Sequence, residues 1–275
     1  MLKHKLLRAA RLTEDRIRQI LRLNQSEQKL AGDAQAFWSR PIDRNNALWW
    51  HARDSTIFSE AEQNWLAMGK RHTRLFADFA RAAGIERPVD RIVDWGCGGG
   101  ANAVAFAGEC RTLWGVDVSA EALTECGRQL AAHDGRCDFH PVSITVPNPE
   151  GALELIPNNS IDLFVCFYVF EVLPSPEYGA RVLRIAHKLL RPGGVGFIQI
   201  KYQTDSWKTR ARRWGYTRSA ANMTSYRVES FWELAEACGF EPKTITLVPK
   251  PPEVPDVRYA YFMLQKPGDP PLVVK

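Results

Sequence analysis

The sequence lacks the patterns that mark several common classes of protein. In its 275 residues no stretch approaches the ~18 consecutive apolar residues of a membrane-spanning helix, and residues 1–12 are too charged for the apolar core of a signal peptide. No Cys-x-x-Cys pair occurs, and no His/Asp/Glu cluster suggests a metal site. We therefore expect a soluble, cytoplasmic protein without a metal or a disulfide framework, whose six cysteines are Cys97, Cys110, Cys126, Cys137, Cys166 and Cys238.

Positive charge is concentrated in the N-terminal part. Residues 1–90 hold 16 basic and 11 acidic residues, whereas residues 91–275 hold 20 of each, so the whole formal charge of +5 belongs to the first part. A basic amphipathic helix is predicted near the N-terminus by the spacing of Leu6, Ala10, Ile17, Ile20 and Leu21. Such a helix contacts an anionic partner (membrane lipid, nucleic acid or a phosphorylated substrate), or it packs as a solvated helix on its own domain or a second subunit.

From Asp90 onward, short apolar runs alternate with helical patterns, which is typical of βαβ units on a mainly parallel sheet. Two last apolar runs, Thr244–Val248 and Tyr259–Leu264, predict an antiparallel pair. Five earlier strands are predicted at residues 91–95, 112–117, 137–144, 161–170 and 195–200.

The domain organisation follows from the change of pattern before Asp90. Helical patterns cover residues 5–30 and Ser59–Ala83, with an aromatic stretch between them. We expect a basic helix and an aromatic, lid-like segment over residues 1–58. An α/β domain is expected over residues 59–275, with a basic and aromatic insert at residues 201–224.

The most informative segment is VDWGCGGG at residues 93–100, where a strand containing Asp94 runs into a cluster of glycines and then a helix. Glycines allow a tight turn and the close approach of a ligand, and the helix N-terminus offers free N–H groups. A dinucleotide site needs GxGxxG/A with an acid about 20 residues later. That spacing is met by Gly96, Gly98, Ala101 and Asp117. Asp94, however, would repel a pyrophosphate on the loop, whereas it suits the amino group of a cationic ligand.

Three further segments complete a pattern in order and spacing: WGVDVS (114–119), LIPNNSIDLFVCFYVFEVLPSP (155–176) and LLRPGG (189–194). With the glycine loop they resemble the class I S-adenosylmethionine-dependent methyltransferases, of the small-molecule type, over about residues 70–266. The resemblance implies a Rossmann-like, mostly parallel seven-stranded sheet with an antiparallel last strand, helices on both faces and an N-terminal helical extension or lid. It also implies S-adenosylmethionine as cofactor and S-adenosylhomocysteine as product.

The resemblance assigns a set of cofactor-binding residues. The acid at the end of the second strand, Asp117, holds the ribose hydroxyls in this family. Where the family often has an acid for the adenine amino group this sequence has Ser143, which still accepts one hydrogen bond. Phe167 faces the adenine or the methylthio group, or is a core phenylalanine. The complete set is Asp94, Gly96, Cys97, Gly98, Gly100, Asp117, Val118, Ser143, Ile144 and Phe167.

The implied reaction is an in-line transfer of a sulfonium methyl group, in which the protein aligns the acceptor and removes its proton. Glu171 follows the fourth strand, at the edge where such sheets bind ligands, and is a candidate base or an ordinary acid at a helix start. His51 in WWHARD is the second candidate base or a hydrogen-bonded structural histidine. The other histidines, His72 among them, lie in helical or strand-edge contexts and are not favoured.

Candidate acceptor-binding residues lie in separate segments. Tyr168 follows the fourth strand, and Trp50 precedes His51 in the aromatic stretch, where core packing is the alternative. In the insert, arginine suits bidentate contacts and tryptophan suits sugar or ring faces, which singles out Trp207, Arg210 and Arg213. The alternative there is a solvated basic helix anchored by its tryptophans. The pattern favours methylation of oxygen on a small molecule or glycan, including an anionic one.

Other functions remain open at this point. A nucleic-acid methyltransferase would use the basic N-terminus, but the fourth strand ends in CFYV (166–169) rather than the Asn/Asp-Pro-Pro-aromatic signature of base amino methylation, and no RNA-binding module is recognised. A non-catalytic cofactor-binding protein is also open, because a fold does not guarantee activity. An NAD-dependent oxidoreductase is a more distant alternative. Peripheral membrane contact through residues 1–30 is a further interpretation of the basic segment.

Overall fold

The computed structural model describes residues 13–21, 23–40, 61–85, 89–133, 136–216, 222–249 and 257–268. Seven strands form one sheet: β1 (Arg91–Trp95), β2 (Thr112–Asp117), β3 (Asp138–Ser143), β4 (Ile161–Cys166), β5 (Leu190–Lys201), β6 (Glu241–Val248) and β7 (Tyr259–Gln265). Their order is β3-β2-β1-β4-β5-β7-β6. Neighbours are parallel except that β7 runs antiparallel to both β5 and β6. The expected fold class and the antiparallel final pair are confirmed.

Helices cover both faces of the sheet. Those in the described residues are α1 (13–20), α2 (Glu27–Trp38), α3 (Ala61–Ala82), α4 (Ala101–Ala107), α5 (Ala120–His133), α6 (Ala152–Leu155), α7 (Pro176–Leu189) and α8 (Val228–Ala237). Side chains alternate along β4, so Leu163 packs in one core with α3, while Phe164 packs in the other core with α7 and α8. Within the part of the chain described, no helix is both long and apolar enough to cross a membrane.

Strand positions agree with the sequence except that β5 begins at Leu190 rather than at residue 195 and that β4 ends early. β1 and β2 have the predicted bounds, but β4 ends at Cys166 rather than at residue 170. The chain leaves the strand because Tyr168 adopts a positive φ of 59°, and a 3-10 turn follows at Phe170–Val172. The apolar run continues past Cys166 because these turn residues are buried beside the sheet.

The predicted N-terminal helix is interrupted. α1 ends at residue 20, and α2 begins after Ser26, whose hydroxyl accepts the N–H of Lys29 (3.3 Å). Between the helices the N–H of Gln25 donates to the carbonyl of Arg213 (2.9 Å). The break coincides with a polar stretch, Asn24 to Ser26, which competes with helix for backbone hydrogen bonds. Leu6 and Ala10 lie outside the described residues.

α2 packs directly on the α/β domain. Leu30 and Ala34 are buried in the core that also holds side chains of β1 and β4. The side-chain oxygen of Gln35 accepts the N–H of Val146 (2.6 Å) beyond β3. The expected boundary after residue 58 stays a prediction, because residues 41–60 lie outside the described part of the chain.

The basic insert is largely irregular where the structure describes it. Residues 202–215 contain one short 3-10 turn, Trp207–Thr209, and no α-helix. A parallel bridge joins Tyr202 to Tyr226, and the Ser225 hydroxyl donates to the carbonyl of Thr209 (3.0 Å). The alternative of a basic helix is therefore wrong for these residues, although Trp214 is buried as an anchor.

Gly69 of α3 tests how closely α3 approaches α4, and Gly32 of α2 is its control. A Cβ on Gly69 would lie 2.1 Å from the Ala101 carbonyl oxygen, whereas a Cβ on Gly32 of α2 would meet nothing within 4 Å. We expect Gly69→Ala to destabilise the fold by about 1–3 kcal/mol through steric overlap. Gly32→Ala should stabilise it by about 0.5–1 kcal/mol, since alanine has less backbone freedom to lose. Urea unfolding of both variants measures this, and equal effects would contradict the close α3–α4 contact.

Candidate active site

A cavity of about 320 Å³ lies at the carboxyl ends of the parallel strands. Its volume is within the range of small-molecule sites, and its position is where open α/β sheets bind ligands. The wall is formed by the loop after β1, by Asp117, by Ile144 and by residues that follow β4. α2 contributes Ala34 and Trp38 from the opposite side.

The glycine loop has a backbone that only glycine accommodates. Gly96 has a φ of 75°, and a Cβ there would lie 2.3 Å from a methyl group of Val169. The N–H of Gly98 donates to one carboxylate oxygen of Asp117 (2.9 Å). Gly100 has a φ of 93° and begins α4, where a Cβ would lie 2.9 Å from the Cys126 sulfur. Gly100 therefore serves the packing of α4 on α5 and is not among the residues lining the cavity.

Asp117 is fixed at the end of β2 by two backbone donors. One oxygen accepts from Gly98, and the other accepts the N–H of Ser119 (2.9 Å). The residue lines the cavity together with Val118. A carboxylate held in this way is suited to bind a pair of hydroxyl groups, because its oxygens are already oriented.

Asp94 is a buried carboxylate suited to a cation. It is 1% exposed, and neither oxygen has a hydrogen-bond partner in the described residues. Burial first, and then the nearby charge of Asp117, together raise its pKa to about 7; the backbone N–H of Ala103, nearby but outside hydrogen-bond geometry, opposes the shift. A positively charged ligand would stabilise the ionised form of this buried carboxylate. The site therefore fits a cofactor that carries a sulfonium and an amino group.

Most of the predicted cofactor residues come together at this cavity. Ser143 is exposed at the end of β3 and does not line the cavity, although its neighbour Ile144 does. Asp94 lies behind the lining rather than in it. The predicted residues that line the cavity are Gly96, Cys97, Gly98, Asp117, Val118, Ile144 and Phe167.

The acceptor candidates that follow β4 line the same cavity. Glu171 is buried, lines the cavity and accepts a hydrogen bond from the Tyr259 hydroxyl (3.4 Å). Tyr168 lines it too; its N–H donates to the side-chain oxygen of Gln199, and its ring meets that of Tyr259 edge-on (centroids 5.1 Å apart). Tyr259 is a site residue that sequence reasoning missed, because it belongs to β7.

A second feature missed from sequence is the closure of the cavity by α2. The Trp38 indole N–H donates to the Tyr216 hydroxyl (2.6 Å), which donates in turn to the carbonyl of Val172 (2.6 Å). Trp38 and Tyr216 both line the cavity. The aromatic composition of the two segments was the available signal, but nothing in the sequence paired residues 178 positions apart.

His72 supports the cavity wall as an uncharged group. Its ring contacts the side chains of Asn102 (2.7 Å) and Tyr261 (2.9 Å), and it stacks on Phe167 (centroids 4.2 Å apart). Burial first, and then the charge of Arg71, together lower its pKa to about 3, and the bond to Asn102 opposes the shift. His72 is therefore neutral at ordinary pH and holds two lining residues, Asn102 and Phe167, in place.

The remaining predicted residues are not part of the described cavity. Trp207 lies against α1, Arg210 is exposed, and Arg213 is 3.7 Å from Glu177, so none of these three side chains lines the cavity. His51 and Trp50 lie outside the described residues. The described part also contains no group of three His, Cys, Asp or Glu residues placed to hold a metal ion.

Comparison with known proteins identifies the family. A family model described as a methyltransferase domain matches residues 68–245, more than half of the chain. The chain belongs to the class I S-adenosylmethionine-dependent methyltransferases. The expectations of family and cofactor are thereby confirmed.

Individual relatives match over part of their length. A ubiquinone biosynthesis O-methyltransferase of Burkholderia vietnamiensis is 35% identical over 113 residues, which is 39% of this chain and 43% of that protein. The rRNA N(6)-adenosine-methyltransferase metl-5 of Caenorhabditis elegans is 28% identical over 129 residues, 45% of this chain and 58% of that protein. This methyltransferase thus spans about half the length of the curated relatives it matches.

A solved structure agrees in fold. The 1,6-didemethyltoxoflavin-N1-methyltransferase of Burkholderia thailandensis, solved with its acceptor and S-adenosylhomocysteine, superposes with a TM-score of 0.53 at 18% identity. The match covers 76% of this chain and 81% of that one. At this identity the likeness concerns the fold alone.

Removal of the Asp117 carboxylate tests the ribose contact in this methyltransferase. Each charge-assisted hydrogen bond is worth about 1.5–3 kcal/mol, so Asp117→Ala should weaken binding of S-adenosylhomocysteine roughly 10-fold to 150-fold for each ribose hydroxyl that loses its partner. Isothermal titration calorimetry measures the dissociation constant. Asp78→Ala, an exposed acid on α3, is the matched control and should bind normally. An unchanged constant for Asp117→Ala would contradict the assignment.

The pH dependence of cofactor binding tests Asp94. At about pH 6 the free protein holds a proton on Asp94, whose pKa is about 7, and a bound cation lowers that pKa. Binding of S-adenosylmethionine should therefore release a proton, and affinity should rise from about pH 5 to 7. Calorimetry in buffers of different ionisation enthalpy counts the proton. Asp94→Asn should abolish the release, and a release that persists in this variant would contradict the role of Asp94.

Proposed function

We propose that this protein transfers the methyl group of S-adenosylmethionine to an oxygen of a small molecule. The observation that carries the proposal is the buried Glu171, which lines the same cavity as the glycine loop and Asp117. A hydroxyl acceptor needs a base more than an amine or a thiol does, and a carboxylate at the acceptor end supplies one. An O-methyltransferase among the relatives supports the same chemistry.

One group of residues is assigned to the cofactor and another to the acceptor. Asp117 and Asp94 are assigned to the ribose hydroxyls and the positive amino group, and Phe167 to the apolar wall between them. When bound, S-adenosylmethionine supplies a methyl group on a positive sulfur, which passes to the acceptor oxygen and leaves S-adenosylhomocysteine. Glu171 accepts the proton of the acceptor hydroxyl, and the Tyr259 hydroxyl orients Glu171 through its hydrogen bond.

The lining favours an uncharged, aromatic or apolar acceptor. Its described residues include two carboxylates, Asp117 and Glu171, and no lysine or arginine. Rings of Trp38, Tyr216 and Tyr259 offer apolar faces for packing. An anionic acceptor, which the basic insert suggested from sequence, is therefore not what this cavity favours. We place the protein in the cytoplasm, where a reducing environment suits its free thiols.

Replacement of Glu171 tests the proposed base. A panel of phenols, enols and aliphatic alcohols is first screened for release of S-adenosylhomocysteine by the wild-type protein. With an accepted substrate, Glu171→Gln should lower kcat about 10²-fold to 10⁴-fold, the usual worth of a positioned base, while cofactor affinity stays unchanged. Tyr259→Phe is the comparison variant and should cost less, since the carboxylate remains. Wild-type kcat in Glu171→Gln would contradict the proposal.

A nucleic-acid acceptor is the second candidate, because one relative is an rRNA methyltransferase. The segment after β4 lacks the signature of base amino methylation, which disfavours it. Filter binding to bulk tRNA and DNA across a range of salt separates the two. Salt-sensitive binding to tRNA, accompanied by methyl incorporation, would replace the small-molecule proposal.

A further inference from the structure

α1 presents its apolar residues outward. Ile17, Ile20 and Leu21 are three and four positions apart, so they share one face of the helix and the turn that follows. They are 50%, 69% and 61% exposed. Leu23, in the loop before α2, extends the same exposed apolar stretch.

The polar residues of α1 hold it to the protein. The Asp15 carboxylate accepts from the Trp214 indole N–H (3.1 Å) and lies 3.7 Å from the Arg212 guanidinium. Just beyond the helix, the Gln25 side chain accepts the N–H of Gly215 (2.9 Å). Rotation of α1 to bury its isoleucines would break these contacts, so the outward apolar face is fixed by the packing.

The insert completes this surface. A groove on it is lined by Thr13, Arg16, Ile17, Ile20 and Trp207. The guanidinium of Arg16 lies 5.6 Å from the Trp207 ring centroid, and the ammonium of Lys208 lies 6.0 Å from it. We define the Ile17, Ile20, Leu21 and Trp207 side chains as the α1 face.

We propose that the α1 face docks on an anionic lipid surface. Exposed isoleucine and leucine beside a tryptophan and basic side chains are the composition of helices that lie in a membrane interface. Arg16 and Lys208 lie beside the Trp207 ring of the face and the exposed Arg210 ends the same turn, whereas Glu14 pairs with Arg18 and Asp15 accepts from Trp214. The twelve residues that precede α1 in sequence add four basic residues and no acidic one.

The same features disfavour other occupants. A second copy meeting face to face would bring basic residues against basic residues, which is repulsive. RNA phosphates would contact the basic side chains but would leave the isoleucines without a partner. An anionic lipid surface offers a partner to both kinds of side chain, because its acyl chains contact the apolar side chains and its headgroups pair with the basic ones.

Vesicle co-sedimentation of the full chain tests the proposal. Vesicles of phosphatidylcholine mixed with the anionic lipid phosphatidylglycerol are compared with vesicles of phosphatidylcholine alone. We expect binding to the anionic vesicles that Ile17→Glu/Ile20→Glu weakens at least about tenfold. The matched control is Leu155→Glu/Leu247→Glu, which adds the same charge at exposed leucines of α6 and β6 and should bind as wild type. Lys208→Gln/Arg210→Gln should weaken binding about fivefold for each charge removed.

Controls for folding and for dimerisation accompany the vesicle measurements. Melting temperature and S-adenosylhomocysteine affinity establish that each variant is folded, and any variant that fails this check is replaced by Ile17→Ser/Ile20→Ser. Equal vesicle binding by the isoleucine and leucine variants would overturn the proposal. So would no binding of wild type to anionic vesicles, or a wild-type dimer on gel filtration that Ile17→Glu/Ile20→Glu dissociates.

Discussion

The loop after β1 is pinned to the end of β2, and the cavity depends on that attachment. The N–H groups of Gly96 and Cys97 both donate to the carbonyl of Val116 (2.7 and 3.1 Å), and the next N–H, of Gly98, reaches Asp117. The turn thereby stays tight enough to leave open space above the strand ends. The Gly98 hydrogen bond also orients the Asp117 carboxylate in the cavity wall. The same short run of backbone hydrogen bonds therefore fixes both the glycine loop and the carboxylate beside it.

Buried charge at this loop works against the stability of the empty protein. The folded state binds the Asp94 proton more tightly than the unfolded chain does, so this group lowers stability as pH rises from about 4 to 7. His72 has the opposite sign: its depressed pKa favours the folded state as pH rises from about 3 to 6.5. A carboxylate that weakens the fold at neutral pH does not serve packing, which is consistent with the role proposed for Asp94 as a partner of a cationic ligand.

Local features of the site could be predicted from sequence, and distant pairings could not. The bounds of β1 and β2, the glycine turn and the position of Glu171 follow from hydrophobic runs and from the rule that parallel strands end at one edge, whereas the role of Asp117 comes from the family resemblance. Tyr259 is 88 positions from Glu171, and its meeting with that residue depends on where β7 inserts into the sheet. For α1, periodicity identified which residues share a face but not the direction of that face. The apolar stripe points outward because Asp15 and Gln25 hydrogen-bond to Trp214 and Gly215 of the insert, so the opposite side of α1 faces the protein.

The insert explains why its basic residues are absent from the cavity. The Arg212 guanidinium and the Trp214 indole N–H contact the Asp15 carboxylate, and the Arg213 carbonyl accepts the N–H of Gln25. These residues of the insert therefore bind α1 and the loop that follows it. Its charge therefore lies outside the cavity, whose described lining includes Asp117 and Glu171 and no lysine or arginine. The basic residues of the insert and the carboxylates of the cavity therefore belong to two separate sets of lining residues, which is consistent with an anionic partner outside and a cationic cofactor inside, as proposed. The N-terminal segment thus contributes twice: α2 closes the cavity with Trp38, and α1 presents the outer face.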